Sequence, residues 1–102
     1  MNTKPLVSIV CLTYNEEQFV RDTFDNFLSQ KTTFPFEVLV YDDASQDSTP
    51  DIIMEYATKY PNIFRVTLYK ENNFQKGLGF YGLRVGFNEA QGKYIAYCEG
   101  DD

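Results

Sequence analysis

Four short apolar runs, "LVSIVCLTY" (6–14), "FEVLVYDD" (36–43), "FRVTLYK" (64–70) and "KYIAYC" (93–98), are separated by amphipathic stretches of helical period. This alternation constrains the fold more than any other feature of the chain. Strands and helices that alternate throughout are joined by crossovers, which builds a mainly parallel sheet with helices on its faces. The first run is continuous and rich in β-branched residues, as expected of a strand covered on both sides, and the last also reads as buried. The predicted fold class is therefore α/β, a three-layer, doubly wound sheet forming a single domain over residues 1–102.

The helices carry their own signals. Asn15 can cap a first helix with Gln18 three positions on, Glu16 and Glu17 suit the positive end of its dipole, and Val20, Phe24, Phe27 and Leu28 follow at helical spacing. Thr49 as cap, with Pro50 at the first helical position, starts a second helix whose buried stripe is Ile53, Tyr56, Ala57 and Tyr60. Phe80, Leu83 and Phe87 mark a third.

Composition removes several kinds of chemistry. There is no histidine, so neither a histidine-based triad nor a histidine-ligated zinc is available. A net charge of -6 argues against adhesion to nucleic acid or to an anionic membrane, and an anionic ligand would need a bridging cation. The longest apolar stretch, "PLVSIVCL", is too short to span a bilayer and lacks the flanks of a signal peptide, so no transmembrane segment is expected and the cytoplasm is the default location. Cys11 and Cys98 each lie inside a strand-like run. Reduced core thiols on adjacent parallel strands are predicted, because a bridge between paired neighbours would be strained.

In doubly wound sheets, ligands bind beyond the carboxyl ends of the strands. The groups expected there are "TYNEE", "DDASQD", "ENN" and "EGDD", all polar or acidic. Asp42 and Asp43 should divide between the cleft and the following loop, although a pair of this kind also suits plain turn chemistry. Glu99, Asp101 and Asp102 can converge around Gly100, and such hard oxygen ligands suit Mg²⁺ or Mn²⁺, particularly when a diphosphate completes the shell. Thr13 and Tyr14 could hold a planar base by hydrogen bonding and stacking, or could cap and pack against the sheet edge. Lys76, close to Asn72 and Asn73, is the cation best placed to meet a phosphate, if it is not simply a solvated loop lysine. Gly77, Gly79, Gly82 and Gly86 fit neither dinucleotide nor P-loop spacing. A phosphorelay receiver would need its acidic pair after the first strand, where this chain has "TYN".

The ordered set "VSIVCLTYNEE", "EVLVYDDASQDST", "ENN" and "AQGKYIAYCEGDD" resembles the donor half of family 2 glycosyltransferases, enzymes of the Rossmann-like GT-A fold. The resemblance implies a nucleotide-sugar donor, most often a UDP-sugar, a glycan or lipid-linked acceptor, and Mn²⁺ or Mg²⁺ bound through a D-x-D-like motif. It implies that Thr13 and Tyr14 contact the nucleobase, that Asp43 bonds the uracil, that Asp101 faces the ribose and that Asp102 is the metal ligand. Asn73 and Lys76 correspond to the loop near the ribose and diphosphate. Leu83 and Arg84 stand where many members have an Arg-Asn pair, and Glu99 stands where the acidic run usually begins with Asp.

The resemblance further implies polysaccharide biosynthesis with inversion at the sugar, in the cytoplasm or at the inner face of the membrane. It also implies an acceptor half, carrying the catalytic base, beyond Asp102; on that reading the chain is truncated after its fourth strand and inactive alone. The other readings are a non-catalytic nucleotide-binding or regulatory module of the same fold and a nucleotidyltransferase, which usually has a Gly- and Arg-rich loop where "LTYNEE" stands.

Overall fold

The computed structural model describes residues 4–30, 34–73, 76–77 and 81–99. Along them run β1 (Val7–Thr13), α1 (Val20–Ser29), β2 (Phe36–Asp42), α2 (Thr49–Lys59), β3 (Phe64–Leu68), α3 (Tyr81–Glu89) and β4 (Tyr94–Glu99). The strands form one parallel sheet in the order β3-β2-β1-β4. The chain steps outward from β1 to β3 and then crosses back to lay β4 on the other side of β1. That reversal is the topological switch point at which α/β sheets place their ligand sites.

Side chains alternate across the strands and so divide the core into two layers. Cys11, Val38 and Val40 face α1 and α2, where they meet Val20, Phe24, Ile53 and Tyr56. The Phe24 ring lies 5.2 Å from that of Tyr56 and 5.0 Å from that of Phe64, and burial of such a side chain contributes about 2–3 kcal/mol. On the other face, Val10, Leu39 and Tyr41 meet Leu83 and Val85 of α3. A Cβ on Gly86 would fall 2.6 Å from Val10 Cγ1, and one on Gly82 would fall 2.8 Å from Tyr41 Cβ. These glycines let α3 approach the sheet at backbone distance, which is the role of two of the four glycines that fitted no phosphate motif.

Several expectations need correction. Helix α1 begins at Val20, with Phe19 at its cap position, instead of being capped by Asn15. Asn15 is in the left-handed region at φ 49°, and its side-chain oxygen is engaged elsewhere. Thr49 is the first residue of α2, and Asp47, two residues upstream, accepts its N–H at 2.9 Å. Phe87 lies on the outer side of α3, about half exposed, because the glycines occupy the face against the sheet. Phe80 lies outside the described residues. Strand β4, expected to be buried, is exposed along most of its length, because among the described residues it pairs with β1 alone.

The cysteine expectation holds in part. Cys11 and Cys98 are register partners on adjacent parallel strands and are not joined in a disulfide, but only Cys11 lies in the core, while Cys98 on β4 is partly exposed.

At the amino ends of the strands, buried Glu37 accepts hydrogen bonds from Ser8 Oγ at 2.6 Å, Gln91 N–H at 2.9 Å and Arg65 Nε at 3.1 Å. This ties the α3–β4 connection under the sheet. A cavity of about 500 Å³ lies at the same end, among Phe36, Glu37, Ile63 and Arg65. No helix among the described residues is long and apolar enough to cross a membrane.

Candidate functional site

At the carboxyl ends of the strands, the sheet hydrogen bonding extends past the strands themselves. Asp43 N–H donates to Thr13 O at 3.0 Å, and Tyr69 N–H donates to Asp42 O at 2.9 Å. The three chain ends therefore leave the sheet side by side. Between them opens a cavity of about 330 Å³, lined by Tyr14, Ala44, Ser45, Gln46, Tyr69, Lys70 and Asn72.

Beneath the cavity floor lies Asp42, only 1% exposed. Its carboxylate accepts the Thr13 hydroxyl at 2.7 Å, the Ser45 hydroxyl at 2.6 Å and the Ser45 N–H at 2.9 Å. Removing a carboxylate from water is costly unless donors replace the lost solvation, and here three do. Thr13 is thus placed under the rim, with its hydroxyl turned down onto Asp42. Tyr14, the next residue, is 39% exposed and lines the cavity.

Asp43 turns the other way. Its Oδ1 accepts the Asn73 N–H at 2.8 Å, and its carbonyl accepts Asn72 Nδ2 at 2.9 Å, so this residue holds the loop after β3 against the end of β2. Asn73 is itself buried, and its Nδ2 has no partner among the described residues. A buried donor in that state costs about 1–3 kcal/mol, and an acceptor from a ligand or a water would remove the cost.

Lys76 closes the following turn through its N–H to Asn72 O at 3.2 Å, with Gly77 next to it at φ 81°. Its ammonium pairs with Glu71 at 2.9 Å. An exposed pair of this type is worth less than about 1 kcal/mol, so exchanging Glu71 for a more highly charged anion would cost little.

The loops after β1 and β2 are laced together. Glu16 N–H donates to Thr49 Oγ1 at 2.8 Å, Glu17 N–H to Asp47 Oδ2 at 3.2 Å, and Ser48 N–H to Glu17 Oε2 at 3.3 Å. Burial would raise the Asp47 pKa, but the hydrogen bonds from Thr49 and from the Glu17 backbone outweigh it and hold the carboxyl below its ordinary value.

On the far side, β1–β4 pairing sets Glu99 beside Leu12, so Glu99 lies at the same rim. Tyr97 donates its hydroxyl to Glu99 Oε1 at 3.1 Å. Asp101 and Asp102 lie outside the described residues. Among those described, no group of three or more potential metal ligands gathers. The described part of the acidic run, Glu99, supplies the hard oxygen chemistry that Mg²⁺ or Mn²⁺ favours.

Sequence reasoning thus named Tyr14, Asp43, Asn73 and Lys76, which the fold brings to one rim; it placed Asn15, Ala44 and Ser45 on that rim without giving them a part in the site. Ser45 was the most accessible of these. An Asp followed by Ser three residues later is the spacing of a side-chain-closed turn, and Ser45 N–H does return to Asp42. Ala44, at φ 63°, gave no sequence signal.

Known proteins match this arrangement. Residues 8–102 match the family described as glycosyl transferase family 2. The uncharacterized protein Rv1520 of Mycobacterium tuberculosis is 44% identical over 94% of this chain and 27% of its own length. The putative teichuronic acid biosynthesis glycosyltransferase TuaG of Bacillus subtilis is 33% identical over 99% of this chain and 38% of its own. The chain therefore spans well under half the length of these curated relatives. Among solved structures, mannosyltransferase PcManGT of Pyrobaculum calidifontis, in complex with GDP-Man and Mn²⁺, superposes with a TM-score of 0.79 at 25% identity, covering 97% of this chain and 28% of that one. Staphylococcus aureus TarS 1-349 in complex with UDP gives 0.77 at 25% identity, covering 93% and 27%.

Proposed function

Because this chain belongs to glycosyl transferase family 2, we propose that it forms the donor-binding portion of a nucleotide-sugar-dependent enzyme, with a UDP-sugar as donor. The observation that carries the reading is the rim cavity, which sets the half-exposed Tyr14 ring within one wall and the loop held by Asp43 and Asn73 at the other. A flat ring and nearby polar groups are what a planar base with polar edges requires. TarS is known with UDP and PcManGT with GDP-Man, which supports a nucleoside diphosphate at the corresponding end of the sheet here.

In this reading Tyr14 stacks on the uracil, Asp43 accepts from the uracil, and Thr13 supports both from below through Asp42. Asn73 Nδ2 donates towards the ribose, and Lys76 leaves Glu71 for a phosphate. Asp101 faces the ribose, and Asp102 is the residue that would hold the cation. A divalent metal bound there would supply positive charge to the leaving diphosphate, and in a chain of net charge -6 it would offset repulsion of an anionic donor. The acceptor is a glycan or a lipid-linked molecule whose hydroxyl attacks the anomeric carbon of the donor with inversion as the nucleoside diphosphate leaves, in the cytoplasm or at the inner face of the membrane. No residue of this chain is assigned as the base. The TuaG likeness supports a role in polysaccharide biosynthesis.

Calorimetric titration of UDP into the full-length protein, with and without Mn²⁺, tests this directly. Metal-assisted UDP binding is expected, weakened about tenfold or more by Asp43→Ala and made indifferent to Mn²⁺ by Asp102→Ala. GDP binding in place of UDP would change the base assigned, and binding of neither would overturn the reading.

A further inference from the structure

We propose that Asn15 is a positioning residue for the base pocket, fixing the separation between the Tyr14 wall and the wall formed by Ala44, Ser45 and Gln46. The inference rests on the nucleotide-binding reading above, but its geometry is independent of any ligand. Asn15 N–H donates to Ser45 Oγ at 2.8 Å, and Asn15 Oδ1 accepts Gln46 N–H at 2.8 Å. One residue thus grips two successive residues of the opposite loop, once through its backbone and once through its side chain. Ser45 is in turn locked onto buried Asp42 through both its hydroxyl and its N–H. The series Tyr14–Asn15–Ser45–Asp42–Thr13 closes a ring of hydrogen bonds and covalent chain under the cavity.

The conformation explains why the residue is asparagine. At φ 49° a side chain pays a steric penalty that Asn, Asp and Gly largely avoid. Position 15 must also present an acceptor to Gln46 N–H. Asparagine and aspartate meet both demands, glycine only the first, and alanine neither. A residue needed only to end β1 would not require the acceptor.

The test is a substitution series in the full-length protein, with UDP affinity measured in Mn²⁺ at about 0.15 M salt, where charges beyond about 8 Å are screened. Asn15→Ala is expected to weaken UDP about tenfold, as loss of a hydrogen bond and of the turn geometry would. Asn15→Gly should weaken it about threefold to fivefold and Asn15→Asp by less than about twofold, ranked by which of the two demands each residue still meets. Combining Asn15→Gly with Tyr14→Ala separates positioning from general damage, because a residue that acts by placing Tyr14 has nothing left to place once that ring is gone.

A glycine effect that vanishes in the Tyr14→Ala background, with the aspartate variant retaining affinity, supports the proposal. Costs that simply add, or an aspartate variant as weak as alanine, overturn it. Should Asn15→Ala fail to fold, the glycine cycle, which keeps the backbone unstrained, decides alone. If the unmodified protein binds neither UDP nor GDP, the nucleotide reading itself fails, and that outcome is distinct from UDP binding with additive Asn15 costs.

Discussion

The two sides of β1 differ sharply although the strands beside it read alike in sequence. On the β2 side, the rim is a polar lattice built over buried Asp42, in which Asp42, Ser45, Asn15 and Asp47 are all hydrogen-bonded within and between two loops. On the β4 side, Tyr94, Ile95 and Tyr97 are 57%, 44% and 43% exposed. Number of neighbours accounts for the contrast. Strand β2 is paired on both edges and covered on both faces, so its polar end must be satisfied internally, whereas β4 has β1 on one edge alone among the described residues. A cleft whose one wall is fixed before ligand arrives loses less ordering entropy on binding.

That contrast can be broken most severely at Asp42. Asp42→Ala strands the Thr13 hydroxyl and both donors of Ser45, and should cost about 3 kcal/mol in chemical denaturation. A loss below about 1 kcal/mol would mean that the lattice contributes little.

Acid should loosen the laced wall selectively. The Asp47 carboxyl is held below its ordinary value of 3.8, so its contribution is present above that pH and is lost as pH falls through the lowered value. Amide exchange at Glu17 and Thr49 should therefore accelerate below about pH 4 more than exchange along β4. Uniform acceleration would erase the distinction.

A smaller gain is expected from Ala44→Gly. Ala44 has φ 63° without a side-chain hydrogen bond to offset the strain, so glycine should stabilise by about 0.5 kcal/mol, net of its greater unfolded entropy. Least of all should change at the exposed strand, where Tyr97→Thr keeps β-propensity and should shift stability by no more than about 0.5 kcal/mol.

The sequence made the scaffold legible because the scaffold follows from patterning. Strand runs, helix stripes and their alternation depend on local period, and the positions of Tyr14 and Asp43 on one rim follow from the topology. Burial of β4 was misjudged because an apolar run records what a strand can bury, not how many neighbours it has. The role of Asn15 was misread for a related reason. Its spacing to Gln18 satisfied a capping rule, yet its acceptor went to Gln46, 31 residues away in sequence, a contact that no local pattern encodes. Likewise, the spacing of Gly82 and Gly86 excluded a phosphate loop but did not reveal their close packing against Val10 and Tyr41.

The central claim is that a uridine nucleotide occupies the cavity between Tyr14 and the loop held by Asp43. The most direct measurement is amide chemical-shift mapping of the full-length protein during titration with UDP and Mg²⁺, the diamagnetic choice of cation. The account predicts shifts at Tyr14, Ser45, Gln46 and Asn72, with Glu37, Ile63 and Gln91 at the opposite end of the sheet unmoved. Shifts confined to that opposite end, or a saturating titration that leaves Tyr14 and Ser45 in place, would contradict it.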